Sequence, residues 1–181
     1  MNARRLLWNL AALAALAYLA GMVISGALPE QRQLIKFEAQ GLMKLPPGRI
    51  SRIDLTRGER TARFVRAGES GWILQDKGPV PKPLAEKLTL AVQIMNRSGP
   101  VRLLEPAEYR NTDLREFGLD RPLLSFALSE GDSPVMQAKF GVLTPDKILR
   151  YMTVEGRQEL FLMSLFVGDS WSAIADEVFA K

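Results

Sequence analysis

Hydrophobic and polar positions follow three rhythms along this chain. From Leu6 to Leu28 no residue is charged and Asn9 is the one strongly polar side chain. As a helix these 23 residues extend roughly 34 Å at about 1.5 Å per residue, enough to cross a hydrocarbon core of about 30 Å with some tilt. The pattern predicts a retained transmembrane anchor over residues 1–28. Arg4 and Arg5 precede it, so the start is expected in the cytoplasm and everything after Pro29 beyond the membrane. Ser25-Gly26-Ala27 offers a small-x-small cleavage site, and release after Ala27 stays open as the alternative. Ala17, Gly21 and Ser25 recur every four residues, a line of small side chains suited to packing against another membrane helix.

Residues 29–48 carry Leu34, Phe37, Leu42 and Leu45 at uneven spacing and end in Pro46-Pro47-Gly48, which stops any helix. They read as a stalk. From residue 49 the period becomes two. Ile53 and Leu55, then Ala62 to Val65, then Trp72-Ile73-Leu74 form short alternating runs with turns at Arg57-Gly58 and Ala67 to Gly71, the pattern of three antiparallel strands. In "VPKPLAEKLTLAVQIMNRSGP" the rhythm changes again. Leu84, Leu88, Ala91, Val92 and Met95 recur at three and four, with Pro83 in the first turn and Ser98-Gly99-Pro100 closing the helix.

Asn111 or Thr112 then caps a turn bearing Leu114 and Phe117, ended by Gly118 and Pro122. Two hairpins follow: Leu124, Phe126 and Leu128 against Met136, Ala138 and Phe140 around Glu130-Gly131-Asp132, and a second pair turned at Glu155-Gly156. "DSWSAIADEVFAK" reads as a capped amphipathic helix presenting Trp171, Ile174, Ala175, Val178 and Phe179. The expected fold class is α+β: a single N-terminal transmembrane helix, then one exported domain over residues 49–181 of antiparallel β-hairpins packed with two main helices.

Composition narrows the chemistry. The chain has no cysteine and no histidine, which excludes disulfides, thiolate or imidazole metal sites and histidine-based triads. Of 24 basic residues, Arg4 and Arg5 precede the apolar stretch, leaving 22 against 20 acidic ones. That balance argues against a nucleic-acid footprint.

"GWILQ", the proline-flanked helix, "REFGLDRP" and the two glycine-turned hairpins resemble, in that order, the bacterial envelope family catalogued as domain of unknown function 4340. Trp72, Phe117, Gly118, Leu119 and Pro122 carry the likeness, over about residues 49 to 165. The resemblance implies an exported, usually membrane-anchored domain, sometimes associated with transporter or gliding-type machinery, with no established active site.

Asp113, Glu116 and Asp120 lie close enough for a carboxylate pair or an oxygen-ligand cation site, but without EF-hand spacing they read as a capped, solvated turn. Ser-x-x-Lys and glycine-rich phosphate-binding motifs are absent. No catalytic, cofactor or metal site is expected. Arg49, Arg52, Arg57 and Arg60, continued by Arg63 and Arg66, form a basic series that could meet lipid headgroups or an acidic partner. Alternation along a strand opposes a single flat patch. The expectation is a non-catalytic accessory or structural subunit of a bacterial envelope complex, anchored in the inner membrane and docking on other envelope proteins. The alternative is a soluble periplasmic ligand-binding protein holding its ligand between sheet and helix.

Overall fold

The computed structural model describes residues 3–24, 41–68 and 71–180. Two compact units divide the chain, Met1–Glu38 and Ala39–Lys181.

The first unit contains helix α1 (Ala3–Ile24). Trp8, Leu13, Leu16, Tyr18 and Leu19 are 60–72% exposed on it. Among the described residues no helix is long and apolar enough to cross a membrane, which corrects the expected transmembrane anchor and the membrane-anchored fold class. The physical reason lies in the helix ends. Arg4 and Arg5 occupy its first turn, and the uncharged run remaining within it, Leu6 to Ile24, is interrupted by Asn9 and rises about 28 Å at about 1.5 Å per residue, short of a hydrocarbon core of about 30 Å. Ala17 and Gly21 lie on α1, four residues apart. Ser25, the cleavage site and the first part of the stalk, through residue 40, lie outside the described residues.

The second unit is one antiparallel sheet of nine strands in the order β4-β3-β2-β1-β6-β7-β8-β9-β5. Its first half comprises β1 (Arg52–Arg57), β2 (Arg60–Ala67), β3 (Gly71–Leu74) and the two-residue β4 (Gly78–Pro79). Helix α2 (Lys82–Arg97) follows, then β5 (Arg102–Leu104) and the single turn α3 (Pro106–Tyr109). The chain closes with β6 (Leu124–Glu130), β7 (Ser133–Leu143), β8 (Leu149–Val154), β9 (Leu160–Ser164) and helix α4 (Leu165–Phe179). Gly58, Gly131 and Gly156 turn the hairpins at positive φ of 59°, 57° and 80°, where a side chain would be strained.

One sheet face meets α2 and α4. Ile53, Leu55, Ala62, Phe64, Phe126, Leu128, Ala138, Phe140 and Met152 interlock with Leu84, Leu88, Val92 and Met95 of α2 and with Trp171 and Ile174 of α4. Phe126 and Trp171 stack at 4.2 Å between ring centroids. All of these residues are no more than 6% exposed, so the layer between sheet and helices is filled by side chains. The α2 stripe read from the sequence is fully buried. The last helix starts at Leu165 rather than Asp169, because the apolar Leu165-Phe166-Val167-Gly168 segment extends it upstream.

The second half of the stalk belongs to this unit. Met43 is 2% exposed, its N–H donates to the Met95 carbonyl at 3.0 Å, and Asn96 donates to the Met43 and Leu45 carbonyls. A Cβ at Gly41 would lie 1.9 Å from the Asn96 carbonyl oxygen, so only glycine allows that approach.

Candidate functional site

Among the described residues of this unit, the sheet's other face is covered at one end only. There the segment from α3 to Pro122 forms a strap whose Phe117 and Leu119 pack with Leu160, Leu104, Tyr109 and Tyr151. Phe117 lies 4.7 Å from Tyr151, ring to ring, and edge-on to Tyr109 at 6.3 Å. The Phe117 carbonyl accepts the Val142 N–H at 2.9 Å. Gly118 turns with φ of 65°. Gly141 permits the contact, since a Cβ there would sit 2.0 Å from the Phe117 oxygen. The family-like residues Phe117, Gly118, Leu119 and Pro122 thus belong to the strap. Trp72 lies on the opposite, helix-facing side, its indole N–H donating to Thr89 Oγ1 at 3.1 Å.

Beyond the strap the face is bare and polar. Register sets Thr61, Thr56, Ser125, Lys139 and Thr153 side by side across β2, β1, β6, β7 and β8. The next row holds Arg63, Asp54, Ala127 and Gln137. Ser125 and Ala127 are small, so the middle strand becomes the floor of a groove of about 430 Å³ lined by Asp54, Thr56, Gln137, Lys139, Thr153 and the Glu155–Arg157 turn. That volume lies in the range of small-ligand sites.

Most polar groups around the groove are engaged. Thr56 and Thr61 hydroxyls bond to each other at 2.9 Å. Asp54 holds Arg63 at 2.5 Å and Arg52 at 3.6 Å; its hydrogen bond and charge hold the Arg63 guanidinium's pKa above the usual arginine value. Four side chains are not engaged. Ser125, Gln137, Lys139 and Thr153 have no hydrogen-bond or ion-pair partner among the described residues. Ser125 and Lys139 stand opposite each other without a hydrogen bond, and Lys139 is exposed. The pair therefore lacks the contact and desolvation that a serine–lysine nucleophile needs.

The basic series is divided. Arg52 lies on the bare face, 3.5 Å from Asp132 as well as beside Asp54. Arg57 reaches Asp176 at 2.5 Å and the Ser172 carbonyl at 3.3 Å, both on α4. Arg60 donates to the Phe179 carbonyl, and Arg49 pairs with Glu130. Arg66 donates to the Ile50 carbonyl and covers the Trp72 ring at 4.5 Å; burial lowers its pKa. These arginines tie loops and helix ends to the β1–β2 hairpin, and they do not share one surface. Asp113 accepts the Arg115 N–H at 3.0 Å, while the Arg115 guanidinium lies 3.8 Å from Asp113 and 4.0 Å from Asp120. Among the described residues no acidic cluster is disposed to hold a metal.

The sequence reading did not single out Thr56, Ser125, Gln137, Lys139 or Thr153. Each is an ordinary solvent-side position of an alternating strand, and only the pairing of distant strands assembles them. The chain matches no family model, no curated protein and no solved structure.

Proposed function

We propose that residues 41–181 form a non-catalytic docking domain, an accessory subunit that binds a partner protein on the bare face of its sheet. The contrast between the two faces carries this reading: one is filled by apolar side chains from two helices, the other is left open as a polar groove with four unengaged side chains. The sheet edges suit docking less well. Both edge strands are short, β4 with two residues including Pro79 and β5 with three beginning at Arg102, and short edges, proline and charge all discourage strand addition.

Ala127→Trp tests it. The new ring fills the groove from the solvent side and leaves the core untouched. The expected result is loss of the stoichiometric partner on copurification in mild detergent, with an unchanged circular dichroism spectrum. Retention of the partner by a folded variant overturns the proposal.

A further inference from the structure

We draw no further inference here: the strongest candidate, the exposed apolar surface of helix α1 around Trp8, Leu13, Leu16, Tyr18 and Leu19, is an unpartnered helix face, and nothing among the described residues shows what covers it.

Discussion

The guanidinium of Arg60 donates to the carbonyl of Phe179 at 2.8 Å and lies 5.2 Å from the centre of the same residue's ring. A cation at a helix C-terminus satisfies an orphan carbonyl and complements the helix dipole, so this contact fastens the end of α4 to the β1–β2 turn. Arg60→Ala is expected to lower stability by about 1 kcal/mol, an exposed cation–π contact and one charged hydrogen bond being modest in water. Urea denaturation checks the value. No change would show that the contact contributes nothing in solution.

Two buried tryptophans differ in a way that predicts unequal mutants. Trp72 donates to Thr89 and lies under Arg66, whereas the Trp171 indole N–H is buried with no hydrogen-bond partner among the described residues. Replacing either by phenylalanine removes similar volume. Trp72→Phe also leaves Thr89 without its donor, while Trp171→Phe relieves an unsatisfied group. Trp72→Phe is therefore expected to be the costlier by about 1 kcal/mol, measured by equilibrium unfolding of both variants.

Gly141→Ala forces a methyl group into backbone rather than into a flexible side chain. The expected outcome is detachment of the strap with the helix-facing core intact. Amide exchange at Val142, whose N–H bonds to Phe117, should accelerate at least tenfold while exchange in β1 stays unchanged. Uniform acceleration across the sheet would instead mean global destabilisation.

Two carboxylates set the response to acid. Glu108 is held below its ordinary pKa by the Glu105 N–H and then by Arg102, within a capping box that opens α3. Asp146 is held low by the Thr144 hydroxyl and the Ile148 N–H. A carboxylate depressed in the folded state contributes stability above its unfolded pKa of about 4, and that contribution fades as pH falls through the folded value. Amide signals of Glu105 and Ile148 should therefore shift below about pH 4, ahead of any change in the core. Simultaneous change throughout the domain would contradict this order.

Local rules made much of this architecture legible. Glycines at positive φ marked three hairpin turns, and the three-and-four spacing from Leu84 to Met95 marked the buried face of α2. Alternation assigns residues to faces but says nothing of partners, so the pairing of β1 with β6, about 70 residues later, was hidden, and the groove with it. The basic series was visible, but its partners were not: Arg57 meets Asp176 across 119 residues. Length and lack of charge suggested a membrane span between Leu6 and Leu28, whereas the described helix, Ala3–Ile24, takes Arg4 and Arg5 into its first turn.

Photo-crosslinking from position 127 in cells that make this chain tests the bare face most directly, with a reporter at Glu86 on the exposed side of α2 for comparison. A discrete crosslinked species is predicted from position 127 and none from position 86. Adducts from position 86 alone, or from neither position, would contradict docking on the open face of the sheet.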